Sequence, residues 1–147
     1  MLFDNHNRPI SYVRLAVTDR CNLRCFYCMP EEGIRYVPKK QLLSFEEIER
    51  LVRLLAGMGI SKVRITGGEP FVRTDLMNLL RTIVKVPGVE QIHLTTNGVL
   101  TAAHVPELKA LGIRSVNLSL DTLDRGRFRE ISRRDEYDRV WQTFELL

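Results

Sequence analysis

The chain has 147 residues, 44% of them hydrophobic and 27% charged, with 22 Lys and Arg against 18 Asp and Glu for a net charge of +4. This is the composition of one globular domain or a piece of one, and it excludes a disordered, collagen-like or multidomain chain. No apolar run approaches the roughly 18 residues of a membrane span, and the polar stretch from Met1 to Pro9 carries no signal-peptide core, so a soluble cytoplasmic protein with no membrane association is expected. Arginine outnumbers lysine 17 to 5. Its planar fork suits an anionic small molecule, although a compositional habit accounts for the same count. The basic residues are scattered and no aromatic-interleaved stripe appears, so no nucleic-acid partner is expected.

In chain order, four strand-like runs alternate with helical ones. Tyr12 to Thr18, Lys62 to Thr66, Gln91 to Thr95 and Arg114 to Leu120 are rich in Val, Ile, Leu and Thr and are bounded by Gly, Pro or polar residues. Ser44-Phe45-Glu46-Glu47 is a capping box opening a helix with Ile48, Leu51, Val52 and Leu55 on one face, which stops at Gly57 to Gly59. A second helix spans Asp75 to Val84 and ends before Pro87-Gly88. A third runs from about Ala103 to Leu111, and Tyr137 to Leu147 reads as a fourth. Arg125, Arg127, Arg129, Arg133 and Arg134, interrupted by Asp124, Glu130, Asp135 and Glu136, read as a solvated helix face. Gly59 to Thr66 and Gly112 to Ser119 echo one another, as two βα units would. The alternation implies right-handed crossovers and a parallel sheet.

Strand parity separates two faces. Val13, Leu15 and Val17 oppose Arg14, Ala16 and Thr18; Val63 and Ile65 oppose Arg64 and Thr66; Ile92 and Leu94 oppose His93, Thr95 and Asn97; Val116, Leu118 and Leu120 oppose Asn117, Ser119 and Asp121. A sheet covered on both sides would read as nearly continuous apolar runs, so a doubly wound fold is disfavoured. The expectation is an α/β, partial (βα) TIM-like barrel of about four parallel βα units. Its polar residues face a wet interior, near the C-terminal strand ends where such enzymes place their sites. A sheet with one solvent-exposed face is the simpler alternative.

The three cysteines, Cys21, Cys25 and Cys28, fall in one loop directly after the first strand, with spacing Cys-x3-Cys-x2-Cys. A disulfide framework spreads its cysteines. Structural zinc wants four ligands, and His6, His93 and His104 lie outside this loop. A Cys25–Cys28 redox dithiol should open a helix and leaves Cys21 unused; three inert cysteines complete the alternatives. A [4Fe–4S] cluster tied by three thiolates leaves one iron open, which is useful only where a substrate or cofactor takes that position.

The loop, with Tyr27 between the last two cysteines, resembles the signature of radical S-adenosylmethionine (SAM) enzymes. Gly67-Gly68-Glu69-Pro70 after the second strand, Thr95-Thr96-Asn97-Gly98 after the third and Ser119-Leu120-Asp121 after the fourth resemble that family's further motifs in order. Tyr12 to Leu15, Thr18 to Cys25, Cys28-Met29-Pro30, Val63 to Pro70, Leu94 to Gly98 and Asn117 to Leu123 narrow the resemblance to the molybdenum cofactor biosynthesis protein A family. That family consists of GTP 3′,8-cyclases, lyases in which a radical made from SAM abstracts hydrogen from GTP. The resemblance implies that Cys21, Cys25 and Cys28 hold a [4Fe–4S] cluster, that Tyr27, Gly68 and Ser119 contact SAM and that Arg14, Arg64 and Thr95 contact GTP. It further implies an electron donor and a partner synthase of pyranopterin formation.

The family's barrel continues for further strands and adds a second three-cysteine cluster, whereas no cysteine follows Cys28 here. Residues 1–147 are therefore expected to be the N-terminal part of a radical SAM domain, incomplete for turnover alone and self-associating through an open sheet edge. Another radical SAM enzyme, such as a peptide-modifying maturase, and a zinc-binding interaction module are the alternative functions.

Overall fold

The computed structural model describes residues 1–113 and 115–147. A short antiparallel hairpin, β1 (Leu2–Phe3) with β2 (Pro9–Ile10), opens the chain. Its turn is built on Asp4, whose carboxylate accepts the backbone N–H groups of His6 and Arg8 and pairs with the Arg8 guanidinium at 2.7 Å. Two-residue strands carry no measurable period, and this hairpin is absent from the sequence-based expectation.

Four parallel strands follow, β3 (Tyr12–Ala16), β4 (Lys62–Thr66), β5 (Gln91–Thr96) and β6 (Ser115–Leu118), ordered β3-β4-β5-β6. Leu15, Ile65, Leu94 and Val116 stand side by side in the register, and so do Arg14, Arg64, His93 and Ser115. The first and last strands are shorter than the sequence suggests. Pairing beyond Ala16 nonetheless persists, with the Val17 N–H donating to Thr66 O at 2.9 Å. The expected start of the last strand, Arg114, lies outside the described residues.

The helices are α1 (Phe45–Gly57), α2 (Leu76–Ile83), α3 (Val105–Ala110), α4 (Arg125–Ser132) and α5 (Tyr137–Leu146). The capping box at α1 is complete, with the Glu47 N–H donating to Ser44 Oγ and the Ser44 N–H to Glu47 Oε2. The third helix begins as a 3-10 turn over Ala102–His104, because Pro106 is tolerated only in the first turn of the α-helix proper.

One face of the sheet is covered and the other is open. Val17, Val63, Ile65, Ile92 and Leu94 are buried against Ile48 and Val52 of α1, Leu76, Leu79, Leu80 and Ile83 of α2 and Leu108 of α3. On the opposite face Arg14 and Asn117 are exposed, and Arg64, Thr66, His93 and Thr95 are half-buried. The parity reading therefore holds, and one-sided coverage is incompatible with a doubly wound fold. A second, smaller cluster of Leu23, Val99, Phe128 and Val140, with Cys21, Cys25 and Leu118 against it, anchors the cysteine loop on α4 and α5.

Candidate functional site

The loop from Asp19 to Pro30 leaves β3 at the C-terminal edge of the sheet, and three elements hold it. The first is the turn after β4, where the Gly68 N–H donates to Thr18 O at 2.8 Å and the Glu69 N–H to Arg20 O at 2.7 Å. A Cβ on Gly68 would lie 2.3 Å from Arg20 O, and one on Gly67 would lie 2.4 Å from Thr18 O. Both glycines are thus required for the close approach of one backbone to another. Gly68 remains exposed on its other side.

The second support is α4, whose carbonyls near the C-terminus need outside donors. Ser132 O and Ile131 O accept the N–H groups of Arg24 at 2.9 Å and Phe26 at 3.0 Å, and the Arg133 guanidinium donates to Met29 O at 3.1 Å. Arg125, Arg127 and Arg129 are solvated as expected, with Arg125 paired to Asp138 and Asp135. Arg133 departs from that reading, because it turns inward to hold the loop.

The third support is Asn97. Its amide donates to Asn22 Oδ1 at 2.8 Å and to Cys21 Sγ at 3.6 Å, while Val99 N–H donates to its Oδ1 at 3.0 Å. Parity placed Asn97 on the polar face; the structure buries it against the cysteine loop instead. Only a long-range contact carries that information, and the local motif Thr95 to Gly98 was its one visible signal.

Beneath this arrangement lies Glu69, fully buried. Its carboxylate accepts the Phe71 N–H at 3.1 Å, the Asn97 N–H at 2.7 Å and the Thr96 hydroxyl at 2.8 Å. Burial pushes its pKa above the ordinary 4.5, and these donors pull it only partly back. Between the ordinary value and the raised one the folded protein therefore holds a proton that the unfolded chain has released. The associated stability is present below about pH 4.5 and is lost as pH rises through the raised value. Glu69→Gln removes this titration. Its urea-unfolding free energy relative to wild type is expected to rise from about pH 4 to about pH 7; parallel pH profiles would contradict this.

All three cysteines are free, Cys21 and Cys25 half-buried and Cys28 exposed. Burial, more than the neighbouring thiols, pushes the Cys21 and Cys25 pKa values up. Among the described residues no three Cys, His, Asp or Glu side chains converge as they would on a single metal ion. A cuboidal cluster takes one thiolate per iron and so suits ligands spread along a loop, and the Asn97 amide at Cys21 Sγ is a hydrogen bond of the kind that tunes such centres. The histidines lie elsewhere: His104 stacks on Phe71 at 5.0 Å, His93 lies within β5 and His6 lies in the hairpin turn. Cys25 and Cys28 span a hydrogen-bonded turn rather than a helix start, with the Cys28 and Met29 N–H groups both on Cys25 O at 2.9 Å.

Tyr27 extends from the loop to the end of β6, where its hydroxyl donates to Asp121 Oδ2 at 2.8 Å. Burial and then this bond raise its pKa. Ser119, exposed at the same edge, donates its N–H to Thr96 O at 2.8 Å. On the polar face Arg64 donates to Tyr12 Oη at 2.8 Å and to Thr95 Oγ1 at 3.3 Å, with Arg14 beside it in the register. Of the carboxylates at this sheet edge, Asp121 accepts from Tyr27 and Glu69 from its three buried donors. Among the described residues neither the Arg14 nor the Arg64 guanidinium pairs with a carboxylate.

A one-sided parallel βα sheet with a three-thiol loop at its C-terminal edge and cations on its open face defines a partial βα barrel. A model described as the Radical SAM superfamily matches residues 15–147, and the chain belongs to that superfamily. It is 47% identical over 144 residues to a protein of Desulforamulus reducens named GTP 3′,8-cyclase, covering 98% of this chain and 44% of that protein. It is 43% identical over 144 residues to molybdenum cofactor biosynthesis protein moc-5 of Caenorhabditis elegans, covering 98% of this chain and 24% of that one. Among solved structures, SuiB of Streptococcus suis bound to S-adenosylmethionine superposes with a TM-score of 0.68 at 25% identity, over 90% of this chain and 30% of that chain. The chain thus spans less than half the length of the curated relatives it matches. Among the described residues no helix is long and apolar enough to cross a membrane.

Proposed function

We propose that this chain carries the cofactor half and part of the substrate site of a cytoplasmic GTP 3′,8-cyclase of molybdenum cofactor biosynthesis. Cys21, Cys25 and Cys28 would hold a [4Fe–4S] cluster, and Tyr27, Gly68 and Ser119, all at the same sheet edge, would line SAM. When bound, the cluster and SAM supply, on reduction by an external electron donor, the radical that takes hydrogen from GTP. Arg14, Arg64 and Thr95 bind the triphosphate by charge-assisted hydrogen bonds. Glu69 and Asn97 fix the loop relative to that face. The observation that carries the reading is the pair Arg14 and Arg64, without carboxylate partners among the described residues, on the sheet whose edge bears the three thiols. Since the relatives are more than twice as long, we expect turnover to require the longer protein acting with a partner synthase.

Titration calorimetry of the chain with GTP is expected to show binding that weakens at least about tenfold in Arg64→Ala, the size of a lost charge-assisted bond. Equal affinity of wild type and variant would sink the nucleotide reading and favour a peptide-modifying radical SAM enzyme. Among the described residues β6 has a strand neighbour on one side only. Homo-oligomers at micromolar concentration, seen by light scattering, are the expected consequence.

A further inference from the structure

Arg14, Arg64 and His93 occupy adjacent strands at one level of the polar face, with Ser115 next in the row. Two strand spacings, about 10 Å, separate the outer members of this triplet. His93 is half-buried and its Nδ1 is buried without a hydrogen-bond partner. Native folds rarely leave such an atom unmatched, and a bound ion is one recognised reason when they do. Its own strand holds it at the level of Arg64, two residues before Thr95, which Arg64 contacts.

We propose that His93 is a third phosphate-binding group of this row, donating a ring N–H to a polyphosphate oxygen of the bound nucleotide beside Arg14 and Arg64. This rests on the reading of the polar face as a nucleoside triphosphate site. The charged groups acting on the ring are Arg64 and Lys62, both on β4; its β6 neighbour Ser115 is uncharged. Burial first, then those two cations, holds the imidazole below its ordinary pKa and hence neutral near pH 7. A phosphate seated between Arg64 and His93 reverses the sign of the nearest charge, so the ring takes up a proton as the anion binds.

The test is calorimetric titration of the chain near pH 7 with GTP and with inorganic tripolyphosphate, in two buffers of different ionisation heat. Wild type is expected to bind both anions with proton uptake. His93→Ala is expected to weaken both by about tenfold and to abolish the uptake. His93→Asn, which keeps a donor, is expected to recover most of the affinity without the uptake, a pattern that loss of packing does not produce. Wild-type affinity and wild-type proton uptake in both His93 variants overturn the proposal. If that result comes with weakened binding in Arg64→Ala, the nucleotide site stands and the role of His93 alone fails. If wild type binds neither anion, the site itself fails and His93 with it.

Discussion

Serine in place of any one of Cys21, Cys25 or Cys28 is expected to abolish stable cluster assembly, where anaerobically reconstituted wild type takes up about four irons per chain. In the proposed arrangement each thiolate would be the sole protein ligand of one iron, and three other potential ligands are held elsewhere. His104 is stacked on Phe71, His93 lies in the sheet and Glu69 is consumed by three buried donors. Cys28 is the most informative position because it is exposed, so its replacement leaves the core and the far-ultraviolet circular dichroism of the apo chain intact. Iron content at the wild-type level in Cys28→Ser would contradict the three-thiolate assignment.

Gly68→Ala is expected to produce the largest effect among substitutions that leave every polar side chain in place. The added methyl would stand 2.3 Å from Arg20 O, 2.6 Å from Arg20 C and 2.9 Å from Asp19 O. These are backbone atoms, which cannot swing aside as a flexible side chain can. Relief requires the cysteine loop to move off the turn, breaking the bonds from Gly68 N–H to Thr18 O and from Glu69 N–H to Arg20 O. Overpacking together with two weakened backbone bonds amounts to roughly 2–4 kcal/mol. Chemical denaturation is expected to show that loss, and iron loading to fall with it because the displaced segment leads into Cys21. Gly57→Ala is the control. A Cβ there meets nothing within 4 Å, and the same change at the end of α1 is expected to be neutral or stabilising by about 0.5–1 kcal/mol. A Gly68→Ala protein as stable and as fully loaded as Gly57→Ala would contradict the clamp.

The fold was legible where side chains alternate over several residues. Leu15, Ile65, Leu94 and Val116 on one face and Arg14, Arg64 and Thr95 on the other follow from period-two parity alone, and the sheet register sets the four apolar residues in one row and Arg14 beside Arg64. The α1 start was legible because a capping box is a local pattern. What remained hidden depends on contacts between segments far apart in sequence. Nothing near Arg24 or Phe26 announces that the end of α4 accepts their N–H groups. The Gly67-Gly68 pair reads as a ligand-facing turn, while its tightest neighbour is the backbone of Thr18 and Arg20. Asn97 departs from parity because β5 ends at Thr96, after which the chain turns toward Cys21.

That three thiolates leave one coordination position for SAM is tested most directly by electron paramagnetic resonance. The chain, reconstituted with iron and sulfide and reduced by dithionite, would be measured with and without SAM. The expected result is a [4Fe–4S]⁺ signal whose g values shift when SAM is added. A reduced cluster whose signal is identical with and without SAM would contradict the claim that this loop and the adjoining sheet edge hold an open iron for the cofactor.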